Sequence, residues 1–227
     1  MTPRLLLLET SHQPGVVALA EGERIVGEQR MEESRRHTRE LVPAAKLLLE
    51  QAGWKPGDVQ GVVVSIGPGS YTGLRVGIMS AKTLAYVTGC ALLGIETFAA
   101  IARQVPADAQ RLAVIADAQQ GKIYVQHFAR TPEGMVAADA LSILPFADWS
   151  ATCPVETWVT GPGLETFLPR LPTRQLVAPR PDWTPHATSL LALGLAAYRT
   201  GRRDDPFALE PLYLRPSAAE EAWQKRR

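Results

Sequence analysis

The residues best placed to do chemistry lie in "SIGPGSYTGLRVGI", Ser65 to Ile78, where a glycine-rich turn follows the apolar run Val62–Val64 and opens a helical pattern. Backbone N–H groups of such a turn, aimed together with a helix N-terminus, favour an anion. Gly67, Gly69, Ser70 and Thr72, with Thr10 and Ser11 of the first strand end, are therefore the candidate nucleotide contacts. The turn lacks the Lys-Ser/Thr pair of a P-loop, its glycine spacing is not a dinucleotide fingerprint, and Pro68 removes one donor. A tight strand-to-helix turn with Ser70 or Thr72 as N-cap explains the same composition.

Carboxylate–metal chemistry needs two or three acids converging on a divalent ion. Glu9 ends the first apolar strand, but the strand entering the glycine-rich turn ends in Ser65, so no second acid is placed beside it. Asp117 ends a later strand, where capping the "AQQG" turn is its simpler role. The four histidines, His12, His37, His127 and His186, show no ligand spacing, and no catalytic metal is expected. No Ser-His-Asp or Cys-His arrangement can be assembled from the sequence.

The elements that must position these residues alternate between strand and helix. Three short antiparallel strands ("RLLLLET", "VVALA", "RIVGEQR") precede a helix over "HTRELVPAAKLLLEQAG", stopped at Gly53. A buried strand "VQGVVVSIG", a long helix ending at Gly89 and the strand "CALLGIE" follow, giving β-β-β-α-β-α-β and a mixed sheet flanked by helices. The second half repeats the first. "RLLLLETSHQPGVVALA" from Arg4 matches "RLAVIADAQQGKIYVQHFA" from Arg111, and "VSIGPGSYT" has its counterpart in "VTGPGLET" at Val159 to Thr166. Two matched features in the same order predict an internal duplication and two lobes facing a cleft. "PDWTPHATSLLALGLAAYRTG" reads as a nearly all-apolar helix in the core of the second lobe.

Bulk composition limits the function classes. The chain has 227 residues, 46% of them hydrophobic, enough for a substantial core in one large domain or two lobes. With 24 basic against 23 acidic side chains it lacks the positive field of a protein that grips nucleic acid alone. Cys90 and Cys153 are too few and too far apart for a disulfide framework, which fits a reducing, cytoplasmic setting. The leucines before Glu9 are too few for a signal peptide, and no uncharged stretch reaches a membrane span.

"ETS", "RRHTRELVP", "SIGPGSYTGLRVGI", "DAQQGKIY" and "EPLYLRP", in this order from Glu9 to Pro216, resemble the bacterial TsaB (YeaZ) family of tRNA threonylcarbamoyladenosine biosynthesis proteins. The resemblance implies an actin-like (ASKHA, RNase H-like) α/β fold of two lobes with mixed sheets flanked by helices. Residues 1–98 would form the N-terminal lobe with the partner helices, 99–205 the C-terminal lobe, and 206–227 a tail. It also implies a non-catalytic subunit that binds a catalytic paralogue, TsaD, works with the ATPase TsaE, and meets tRNA through the complex. A homodimer when alone, no cofactor of its own, and ATP or ADP at the partner joint complete the expectation. Thr97 and Ile101 stand where the paralogue has two metal-binding histidines, and Glu9 departs from the Asp that ends the first strand in related proteins. A small-molecule kinase or ATPase of the same fold is the alternative; a peptidase finds no nucleophile.

The helices then become the candidate function. Apolar side chains of the helix Leu41 to Ala52 cover an arc of roughly 200°, against the ~100° stripe that one core face needs. On the next helix Gly73, Gly77 and Ser80 recur at helical spacing, a bare face a neighbouring helix could approach. The expected partner contacts are His37, Leu41, Ala45, Leu48, Gly73, Val76, Gly77 and Ser80, and Gly77→Arg should block docking without unfolding the chain. The basic end Lys225 to Arg227 is a candidate tRNA-phosphate contact.

Overall fold

The computed structural model describes residues 2–31 and 37–214. The tail and its basic cluster lie outside the described residues. Strands β1 (Arg4–Glu9), β2 (Val16–Glu21) and β3 (Arg24–Arg30) form an antiparallel meander, followed by helix α1 (His37–Ala52), β4 (Gly61–Gly67), α2 (Tyr71–Thr88) and β5 (Ala91–Glu96). The sheet order is β3-β2-β1-β4-β5, with β1, β4 and β5 parallel. Helix α3 (Thr97–Ala102) leads to a second sheet of order β11-β10-β6-β7-β8. It is built from β6 (Arg111–Asp117), β7 (Lys122–Thr131), β8 (Gly134–Ala137), β9 (Ser142–Pro145), which pairs with β7, β10 (Trp158–Thr160) and β11 (Leu176–Val177). Helices α4 (Phe146–Thr152), α5 (Leu164–Phe167) and α6 (Ala187–Arg199) complete the chain's elements.

Successive side chains of a strand point to opposite faces, so four consecutive leucines in β1 require both faces to be covered. Leu6 and Leu8 pack with Leu41, Leu48, Leu74 and Ile78 of α1 and α2. Leu5 and Leu7 pack with Leu190, Leu191 and Leu195 of α6. Helix α6 is thus the second cover of the first sheet, not the core of the second lobe, and a Cβ on its Gly194 would meet Val63 of β4. Each of those three leucines contributes about 1.5–3 kcal/mol by leaving water, which holds this late segment to the first sheet.

The duplication is visible in the pairing. Strand β1 pairs antiparallel with β2 and parallel with β4; β6 pairs antiparallel with β7 and parallel with β10. The glycine opening each Gly-Pro-Gly turn has positive φ, +114° at Gly67 and +108° at Gly161, a conformation that costs glycine nothing.

Candidate functional site

Ser70 caps α2 as its composition suggests: its Oγ accepts from the Gly73 N–H at 3.2 Å. The Ser70 N–H donates to the Ser11 carbonyl at 2.7 Å, so the turn is bound to the end of β1. Thr10, Ser11, Gly69 and Ser70 converge, but by packing on each other or on α2, whereas Gly67 lies beside Leu74 and Leu212 and Thr72 is exposed. A Cβ on Gly69 would overlap Ser11, and Cβ atoms on Gly73 and Gly77 would overlap Thr10. Those two helix glycines therefore admit the chain's own first turn; they are not a docking face, and the partner role expected for Gly73 and Gly77 is corrected on this contact. The far side of the turn is also covered. The Leu212 N–H donates to the Ile66 carbonyl at 2.8 Å, Tyr213 stacks on Tyr71 at 5.0 Å, and the Arg75 Nε donates to the Tyr213 hydroxyl at 3.0 Å.

Beneath the turn lies a sealed polar knot. Glu9 Oε1 accepts from the Ser11 N–H at 2.7 Å and from the Ser11 hydroxyl, while Oε2 has no partner among the described residues. Burial pushes the Glu9 carboxyl up to about 7 and the neighbouring His12 imidazole down to about 4. Ser11 Oγ stands 2.9 Å from His12 Nδ1. A nucleophilic triad needs the imidazole between serine and acid; here the serine is in the middle and fully buried. In the second half Asp117 is only half-buried, and its Oδ1 accepts from the Gln119 N–H at 2.7 Å, the capping role read from its sequence.

No group of three or more potential metal ligands occurs among the described residues. Thr97 and Ile101 both lie buried in α3. His127 is held between Asp139 and the Trp149 indole, and His186 against the Pro181 carbonyl.

The model of the family described as TsaD, tRNA N6-adenosine threonylcarbamoyltransferase, matches residues 29–150. A tRNA threonylcarbamoyladenosine biosynthesis protein TsaB of Bacillus subtilis is 28% identical over 96% of this chain and 97% of its own. YeaZ from Pseudomonas aeruginosa superposes with a TM-score of 0.76 at 27% identity, over 93% of this chain and all of the other. The chain belongs to the TsaD family, in its TsaB (YeaZ) branch. A tRNA N6-adenosine threonylcarbamoyltransferase of Thermomicrobium roseum shares 50% identity over 24% of this chain and 15% of its own. The two mixed sheets flanked by helices are those of the actin-like fold of this family.

Within this TsaB framework the two helices named as docking elements lie side by side on one face of the first sheet, but with different faces outward than expected. Leu41 is 1% exposed and Leu48 5%. Both fill the core, and their assignment as partner contacts is corrected. Ala45 and Val76 are half-buried against the same cluster, Ser80 is half-buried, and His37 begins α1 with its side chain outside the described residues. The outward apolar side chains are Val42, 63% exposed, and Leu47 on α1, and Met79, 58% exposed, Tyr86 and Val87 on α2. Phe207 sets its ring edge on Tyr86 at 5.8 Å and extends this surface. The excess apolar arc of α1 is therefore real, but its exposed part is Val42 and Leu47 rather than Leu41 and Leu48. Lys46 and Glu50, 3.7 Å apart on the solvent side of α1, share a face with Val42 by helical spacing and could have marked it.

Proposed function

We propose that this chain is a non-catalytic subunit in the synthesis of tRNA threonylcarbamoyladenosine, docking a TsaD-like transferase through the outer faces of α1 and α2. The observation that carries this reading is the set of large apolar side chains, Val42, Met79, Tyr86 and Val87, exposed on two helices of a well-packed domain. The sealed knot at Glu9 and the self-saturated glycine-rich turn support a role without chemistry of its own and weigh against the kinase or ATPase alternative. The TsaE-like ATPase and tRNA join through the complex, and ATP or ADP is held at the joint with the partner. Alone, the chain covers the same face with a second copy. No described helix is long and apolar enough to cross a membrane, which supports action in the cytoplasm, where tRNA is modified.

Mixing the purified chain with its TsaD-like partner tests this. Transfer of the threonylcarbamoyl group is expected only with both present, and size-exclusion chromatography should show one complex. Transfer by this chain alone would refute the reading.

A further inference from the structure

A cavity of about 500 Å³ opens between the two halves, lined on one side by the β1–β2 turn and β3 and on the other by Pro162, Glu165, Arg180, Pro181 and residues 183–188. That volume falls in the range of small-molecule sites, as does its mixture of apolar wall, here proline rings and Trp183, with a few polar groups. Two guanidiniums face it from opposite walls. Arg180 forks onto Glu165 through Nε and Nη2, whereas Arg30 meets Glu28 only at 3.7 Å, too far for a hydrogen bond. Most of the five donors of Arg30 are therefore unspent among the described residues.

His12 supplies a third group. Its Nδ1 faces Ser11 Oγ, whose proton goes to Glu9, so Nδ1 carries the hydrogen and Nε2 is a bare lone pair without a partner among the described residues. The turn that presents His12 to the cavity also presents Thr10 to Gly73 and Gly77 and the Ser11 carbonyl to Ser70. One short segment thus touches both the cavity and the start of α2.

We propose that the cavity between the two halves binds a small organic anion, carboxylate or phosphate ester, through Arg30, Arg180 and His12, and that its occupancy is transmitted through the Thr10–His12 turn to α2. The second clause rests on the docking role assigned to α2 above. An anion against Nε2 gives that nitrogen a reason to protonate. The resulting imidazolium donates through Nε2 to the ligand and through Nδ1 to Ser11, which still donates to Glu9. Binding therefore takes up a proton, and affinity rises as pH falls from neutral toward the about 4 of the empty site. The charged groups around the ring are Glu9 behind Ser11, Glu28 and Arg30 on β3, and Glu165, Arg180 and His186 across the cavity.

Calorimetric titration of the isolated chain with inorganic phosphate in one arm and acetate in the other tests the site and separates the two sources of anion. At least one should saturate, weaken about tenfold in Arg30→Gln and in Arg180→Gln, and show proton uptake, read in two buffers of different ionisation enthalpy, that disappears in His12→Gln. Saturation by neither anion, or saturation unaltered in all three variants with native melting curves, overturns the site. Affinity for the TsaD-like partner is then measured with and without the saturating anion. A change of about threefold or more supports the transmission, and an unchanged affinity rejects it. Absence of docking in both conditions refutes the role of α2 while the anion titration still judges the cavity.

Discussion

The two copies of the strand–turn–strand unit share a topology and have been put to different ends. In the first, the acid Glu9 is sealed, and the Gly-Pro-Gly turn launches an 18-residue helix whose glycines close over Thr10. In the second, Asp117 stays half-open and caps its own turn, and the matching turn launches only the four residues of α5. The same backbone plan can serve for burial or for exposure. What separates the copies is how many groups pack onto the turn: α2, the β1–β2 turn and the Leu212–Tyr213 segment all converge on the first.

The largest expected effect comes from breaking that convergence. Gly77→Val would drive a side chain into Thr10 and should lower unfolding free energy by about 3 kcal/mol, whereas Gly121→Val in the β6–β7 turn of the second half meets open space and strains only the backbone at its positive φ. Denaturant melts of both variants check this; Gly77→Arg would unfold the first half, so it cannot serve as a clean docking test.

Next comes the pH dependence set by Glu9 and His12 of the first half. Glu9 holds its proton more tightly folded than unfolded, so its contribution is full below 4.5 and is lost as pH rises through about 7. His12 holds its proton less tightly, so its contribution is present above 6.5 and is lost as pH falls through about 4. Between 4.5 and 6.5 the two slopes oppose and the parent protein should be nearly flat. Glu9→Gln removes the falling limb, and its stability should climb by about 3 kcal/mol from pH 4 to 6.5; a flat profile for that variant would contradict the assignment.

Docking should separate the halves by about 2 kcal/mol. Tyr86→Glu or Met79→Glu is expected to weaken the partner complex by that amount with unchanged melting, while Val155→Glu, on an equally exposed side chain of the second half, should leave binding unaltered. Smallest is Asp117→Ala, which removes one turn cap and should cost about 1 kcal/mol without affecting docking.

Much of this architecture was legible because it is local. The cap at Ser70, the left-handed stop at Gly89, the capping by Asp117 and the order of the first seven elements follow from side chains acting on backbone within a few residues. The duplication was legible because both copies keep an apolar strand, an acid and a Gly-Pro-Gly turn at matching places. Which face of α1 looks outward was not, since Leu41 and Val42 are equally apolar and only the sheet beneath distinguishes them.

Local chemistry in the sequence thus determined the strands, helices, caps and repeat of this chain, together with the motifs that place it among the TsaB proteins. Tertiary structure alone decided what the opening glycines do. "SIGPGSYTGLRVGI" has the composition of a phosphate cradle and then of a docking face, yet Gly69, Gly73 and Gly77 leave the space that Thr10 and Ser11, some sixty residues earlier, occupy. Likewise α6 crosses back to the first sheet because β1 buries leucines on both faces, and no periodicity within α6 could name that distant surface.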